Sequence, residues 1–227
     1  MWKTNELGIA TWQANGGSWA LDARGGSFGI NVADQRDGCR IDLEAVEQDL
    51  LPVADEQFVR GRSWHVNFPQ GDCSYALRLV LTPIANTAER LVLETTVAIQ
   101  TSLLDTHPKL DIVAKGNVQA IDCATTSPDS TTISGIEQTG GSPPISRCDG
   151  ENRSVAVLLA PYDSPFTTDQ SSDVELRLRL SGDFLEKGVI RKARPWIILD
   201  SGHTPPSEQE LGSLWSQLQS RPLPLTA

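Results

Sequence analysis

The 227-residue sequence predicts an all-β fold: a single domain over residues 1–227, built as a large antiparallel two-sheet β-sandwich and closed by one C-terminal α-helix at about 207–220. Three observations carry this expectation. Between Tyr75 and Gly116, Leu77, Leu79 and Leu81 fall on one side of a first apolar run, and Leu91, Leu93, Thr95, Val97 and Ile99 on one side of a second. This period of two is the mark of strands buried on one face. Glycine pairs cut the first 32 residues at hairpin spacing, and a full capping box followed by a helical stripe stands near the C-terminus. Sandwiches and barrels of this length often form one unit.

Taken in order, Leu7–Gln13, Ser18–Asp22 and Ser27–Val32 read as short strands separated by turns at Asn15-Gly16-Gly17 and Arg24-Gly25-Gly26. Asn-Gly favours a tight primed turn because both central residues need positive φ. Trp12 and Trp19 flank the first turn, either stacking as core or forming an exposed sugar platform, and core is the more frequent fate of paired aromatics. Asp34–Leu51 fits two patterns: Leu43, Val46 and Leu50 have helical spacing with Asp42 as a possible cap, while Arg40–Leu43 alternates like a strand. Val53–Phe58 and Ser63–Phe68 read as strands, followed by three consecutive antiparallel strands in the Tyr75–Gly116 meander and another over Asn117–Cys123. Thr125–Pro144, rich in Ser, Thr, Pro and Gly, reads as a loop. Ser154–Leu159, apolar after its first residue, reads as a strand. Asp173–Leu180 places Val174, Leu176, Leu178 and Leu180 inward and Glu175, Arg177 and Arg179 in water. Val189–Arg194 and Trp196–Leu199 complete the strands. Ser207-Glu-Gln-Glu210 is a capping box, and Leu211, Leu214, Trp215 and Leu218 form one helical stripe expected to pack outside the sheets.

Composition narrows the function classes. Nineteen Lys and Arg against 29 Asp and Glu leave a formal charge of -10, which repels a phosphate backbone and an anionic membrane surface. Nucleic acid and membrane are therefore not expected as partners. The first residues carry no signal-peptide run and no transmembrane stretch follows, so a cytoplasmic location is expected. Cys39, Cys73, Cys123 and Cys148 form no C-x-x-C pair and read as buried free thiols, with a Cys123–Cys148 disulfide as the alternative for an exported chain. No metal site and no cofactor are expected. Asn152-Arg-Ser154 is a glycosylation sequon only in a secreted chain.

Gly25-Gly-Ser-Phe-Gly29 matches the nucleophile-elbow pattern, with Asp200 and His203 downstream, but Ile30–Val32 continues as strand where an elbow needs a helix; a glycine-rich β-turn is the better reading. On Ser63–Phe68 the residues Trp64, Val66 and Phe68 take the buried face. Ser63, His65 and Asn67 then project together, with Arg60 and Arg62 just upstream. Hydroxyl, imidazole, amide and guanidinium groups converging on one face suit a sugar or a carboxylate ligand, set against the alternative of a plain solvated face. His107, in a loop beside Asp105, and His203 are of the type that serves as general acid or base. Arg191, Lys192 and Arg194 form a local basic cluster that either binds an anion or balances nearby carboxylates.

The run Phe58–Pro69, the meander after it and Phe184–Arg194 resemble uncharacterised bacterial all-β proteins, similar in size and layout to the galactose mutarotase supersandwiches. The resemblance implies a sugar-handling sandwich. Mutarotases use two histidines and a late glutamate, roles for which His65, His107 and Glu186 or Glu175 are the candidates it implies. Three functions are thus in play: a noncatalytic carbohydrate-binding or accessory protein, a sugar epimerase or lyase using His65 and His107, and a protein interaction domain. The ligand-binding residues expected for the first are His65, Asn67, Arg60, Arg62, His107, Arg191 and Arg194.

Overall fold

The computed structural model describes residues 1–34, 39–47, 49–121, 142–151, 153–202 and 204–222. Most of Thr125–Pro144, along with Cys123, Asn152 and His203, lies outside the described residues. In chain order the strands are β1 (Trp2–Glu6), β2 (Ile9–Ala14), β3 (Gly17–Gly25), β4 (Gly29–Asp34), β5 (Arg40–Ala45), β6 (Glu56–Arg60), β7 (Ser63–Phe68), β8 (Ala76–Asn86) and β9 (Arg90–Gln100). They continue as β10 (Lys109–Lys115), β11 (Asn117–Ile121), β12 (Ile145–Gly150), β13 (Arg153–Leu158), β14 (Thr167–Asp169), β15 (Glu175–Ser181), β16 (Ile190–Ala193) and β17 (Trp196–Asp200), before helix α1 (Glu208–Ser220). One sheet has the order β1-β2-β3-β4-β5-β10-β15-β14; the other has β11-β12-β13-β17-β9-β8-β7-β6, with β16 paired to the far end of β9. Every pairing between these strands is antiparallel.

Local chemistry explains the elements. Asn15 (φ +49) and Gly16 (φ +80) form the two-residue loop that sets Trp12 opposite Trp19. Both indoles lie in the core, at 6% and 1% exposure, so the alternative of an exposed sugar platform at this pair is overturned. Leu77, Leu79 and Leu81 on β8 and Leu91 to Ile99 on β9 point between the sheets as their alternation predicts. The elbow-like glycines form a short 3-10 turn (Gly26–Phe28) that leads into β4. A Cβ on Gly25 would lie 2.0 Å from the Pro52 carbonyl oxygen, so this glycine is required by a close backbone approach. Asp34–Leu51 resolves in favour of the strand, as β5. Cys39, Cys73 and Cys148 are free thiols.

Two of the strand expectations are corrected, and one strand was not expected. The meander does not hold: β8 and β9 pair, but β10 leaves them for the other sheet, where it lies between β5 and β15. Residues 101–108 carry the chain across, and the alternation that identifies β10 as a strand says nothing about its neighbours. Val174 is not inward but 71% exposed, because β15 begins one residue later and Val174 lies in the turn whose carbonyl accepts from Gly116. Strand β1 has no counterpart in the sequence pattern, since only Trp2 in it is apolar. That one side chain anchors it, edge-on to Trp12 (5.1 Å), tilted against Trp64 (5.7 Å) and donating to the Arg62 carbonyl (2.7 Å). A polar edge strand also resists pairing with other chains.

The capping box at Ser207 and Glu210 forms as expected, with the Glu210 N–H donating to Ser207 Oγ (3.3 Å) and the Ser207 N–H donating to the Glu210 carboxylate (2.8 Å). Leu211 and Leu218 bury on the outer face of the nine-stranded sheet, against Ile145, Leu158, Trp196 and Ile198. The helix therefore covers the β12-β13-β17 half of that face, and among the described residues no helix or strand lies over the β6-β7-β8 half. No helix among the described residues is long and apolar enough to cross a membrane.

Arg177 and Arg179, expected to be wet, instead close over the outer face of β10. There they clamp Asp111, 1% exposed: Arg177 Nη1 donates to Oδ2 (3.0 Å), and Arg179 donates through Nε to Oδ1 (2.9 Å) and through Nη2 to Oδ2 (3.2 Å). A carboxylate this buried is stable only because two guanidinium groups satisfy it. Asp111→Ala leaves both arginines facing each other without their shared anion and is expected to lower unfolding free energy by about 3 kcal/mol in urea titration, whereas Asp111→Asn, which keeps an acceptor, loses less.

Candidate functional site

The predicted face on β7 is real as geometry. Trp64, Val66 and Phe68 are 0%, 0% and 1% exposed, so the pleat turns Ser63, His65 and Asn67 outward. Gly61 (φ +61) opens a two-residue turn, Gly61-Arg62, that folds β6 back along β7. The register then builds three cross-strand rows over β6, β7 and β8: Glu56–Asn67–Arg78, Phe58–His65–Val80 and Arg60–Ser63–Thr82.

Side-chain contacts join the first row throughout and two members of each of the others. Asn67 accepts at Oδ1 from Arg78 Nε (2.9 Å) and donates through Nδ2 to the Glu56 carboxylate, which fixes the amide between a cation and an anion. The Phe58 and His65 rings stack with centroids 4.6 Å apart and planes 9° from parallel. Ser63 and Thr82 share a hydroxyl–hydroxyl bond of 2.7 Å. Burial under Phe58 lowers the His65 pKa, and the charges of Arg78 and Arg60 push it further in the same direction, so the ring is neutral at pH 7. A neutral imidazole both donates and accepts.

The other expected residues do not converge here. Arg62 is in the turn, where its carbonyl holds Trp2. His107 is exposed in the crossover between β9 and β10, tilted 5.9 Å from the Phe184 ring. Asp105 beside it adopts φ +53, consistent with a turn role. Glu175 lies in the opposite sheet and is bonded to Arg177 (2.9 Å), and Glu186 lies in the turn before β16, where its carbonyl accepts from Val189 (3.1 Å). Of the residues implied by the mutarotase resemblance, His107 and Glu186 thus lie on two adjoining loops joined at Thr106 and Leu185, while His65 stands apart on β7 and Glu175 in the other sheet.

The basic cluster at 191–194 is dispersed too. In β16, Arg191 pairs opposite Ile99 and Lys192 opposite Ala98, so alternation sends them to opposite faces. Arg191 turns toward the core rim, over the Phe166 ring (5.5 Å) and near Asp183 (3.8 Å). Arg194 is buried at 6% and donates to the carbonyls of Pro222 (2.5 Å) and Arg221 (3.4 Å), pinning the chain after α1. It serves the fold rather than presenting a cation at the β7 face. Among the described residues, no three or more His, Cys, Asp and Glu side chains gather in a way that could hold a metal ion.

Sequence reasoning did not select Phe58, Glu56 or Arg78. A two-residue turn at Gly61-Arg62 places Phe58 opposite His65 and Glu56 opposite Asn67, so hairpin counting was the signal that could have found the first two. Because the folded state disfavours protonation of His65, the unfolded chain takes up the proton more readily, and this contribution to stability is present above pH 6.5 and lost as pH falls below it. Urea midpoints measured from pH 7.5 down to 5.5 should show a steeper loss for the wild type than for His65→Gln.

Compared with known proteins, the chain matches no family model and no curated protein.

Proposed function

We propose that this protein is a carbohydrate-binding or accessory β-sandwich that binds its ligand without turning it over, on the open outer face of β6, β7 and β8. The observation that carries this reading is the stacked Phe58–His65 pair, with Phe58 43% exposed, set between a hydrogen-bonded Glu56–Asn67–Arg78 row and the Arg60–Ser63–Thr82 row. A sugar ring has an apolar C–H face and a rim of hydroxyls. An aromatic face flanked by amide, carboxylate and guanidinium groups complements both parts at once. The fixed bonds within the rows pre-orient these groups, which lowers the entropy cost of binding.

A second reading, a protein interaction domain, draws on the opposite end of β9. There Leu103, Leu104, Phe184, Val189 and Ile190 are all 45% to 76% exposed on two loops and the start of β16, tied together by Gly188 N–H to Thr101 O (2.8 Å) and Leu185 N–H to Thr106 O (3.0 Å). Exposed apolar side chains gathered in one place mark interaction sites.

Calorimetry against a panel of neutral sugars and uronic acids tests the first reading. Phe58→Ala should weaken binding of any sugar that binds the wild type by about tenfold, the effect of an aromatic anchor worth roughly 1.4 kcal/mol. Phe28→Ala, which removes an exposed ring on the other sheet, should change nothing. Sugar binding that survives Phe58→Ala intact would sink the proposal.

A further inference from the structure

The eight-stranded sheet parts along one seam. Strand β5 pairs with β10 only from Ala45↔Leu110 to Asp42↔Val113; beyond that point Arg40 stays with Ala33 of β4, and Lys115 stays with Glu175 of β15. Between the diverging ends opens a cleft of about 410 Å³, reaching inward to Cys148 of β12 and to Arg153 and Val155 of β13 in the other sheet. Its volume lies in the lower part of the range typical of small-molecule sites.

The cleft is two-sided in character. Its inner part is lined by Ala114, Val155 and the buried thiols of Cys39 and Cys148, with Arg153 close enough for its charge to act on both thiols. The Cys39 thiol donates to the Ser154 carbonyl (3.4 Å), and burial pushes its pKa up to about 12, which keeps it neutral. Its rim is charged, but the carboxylates there are already engaged. Asp42 is forked by Arg40 (2.9 Å to each oxygen) and Glu44 is held by Arg177 (3.3 Å). The cross-strand neighbour of Lys115, Glu175, is also taken by Arg177 (2.9 Å). Among the described residues no carboxylate pairs with Lys115.

Gly116 holds that lysine at the rim. At φ +153, a Cβ there would come within 2.5 Å of the Asp149 carbonyl oxygen and 2.9 Å of Cys148 Sγ, so the chain just after β10 can press onto β12 only as glycine.

We propose that this cleft is a second binding site, separate from the β7 face, for a small organic monoanion: a carboxylate bearing a short alkyl chain or ring. Lys115 receives the carboxylate, while Ala114, Val155 and the two thiols cover the apolar body. Inorganic anions lack the part that fills the inner cleft, and neutral analogues lack the part that pairs with Lys115.

Calorimetry on the full chain with hexanoate and benzoate, their amides and inorganic phosphate tests this, alongside amide shift mapping by NMR. Saturable 1:1 binding of at least one carboxylate is expected, about tenfold or more tighter than its amide and than phosphate, the scale of one charge-assisted contact. Lys115→Gln should remove about that factor while leaving the urea midpoint in place, His65→Ala should leave the affinity unchanged, and shifts should centre on Ala114, Lys115, Cys148 and Val155. Four results would each overturn the proposal: no saturable binding of either carboxylate, equal affinity in Lys115→Gln, equal affinity for phosphate, or shifts centred on β7. Since the sugar panel reads the other face through Phe58, failure there and failure here are separate outcomes.

Discussion

Burial of one face of each sheet against the other is the constraint from which the rest of the molecule follows. Trp12, Trp19, Leu21, Trp64, Leu79, Leu93, Ile112, Val157, Leu178 and Leu199 meet between the sheets in one core cluster. A strand can give only alternate residues to that layer, so every inward Leu or Trp fixes an outward neighbour. His65 and Asn67 face solvent because Trp64, Val66 and Phe68 are buried. Arg191 and Lys192 part company for the same reason. A basic run in a strand is not a basic surface.

The charge pattern follows a related rule. Residues two apart on a strand share a face, and the sequence repeatedly sets a carboxylate two positions from an arginine: Asp22 with Arg24, Arg40 with Asp42, Arg147 with Asp149 and Glu175 with Arg177 are all ion-paired. These arginines are therefore largely neutralised in place. Cations outside these pairs matter by where they stand, among them Arg60 and Arg78 at the β7 face and Lys115 at the seam between β5 and β10. The Asp111 clamp takes the rule further, since two arginines on β15 reach one carboxylate on the neighbouring strand and cover its outer face.

The second layer over the nine-stranded sheet comes from α1. Trp196 lies beneath it, donating to Glu94 (3.1 Å), while Arg221 reaches the same carboxylate (2.8 Å) from beyond the helix and its guanidinium lies over the Trp196 ring (5.4 Å). Trp215 is tied to the Leu159 carbonyl (2.8 Å). These contacts fix the helix over one half of the sheet. Among the described residues no helix or strand covers the other half, where the β7 face lies.

Which residues alternate inward, where the Asn15-Gly16 turn falls and where the helix is capped are legible along the chain, because each depends on neighbours a few positions apart. The sequence also placed His65 and Asn67 on one outward face. It did not determine strand partners, since a period of two is the same in either sheet and at any position within it. That β10 abandons β9 for β5 and β15, that a nearly apolar-free β1 is held by Trp2, and that Asp111 is clamped by arginines 66 and 68 residues away are decided only when the whole core closes. The β5–β10 seam has the same origin. It opens where two strands distant in sequence stop sharing a ladder, and only packing against β12 and β13 sets that point.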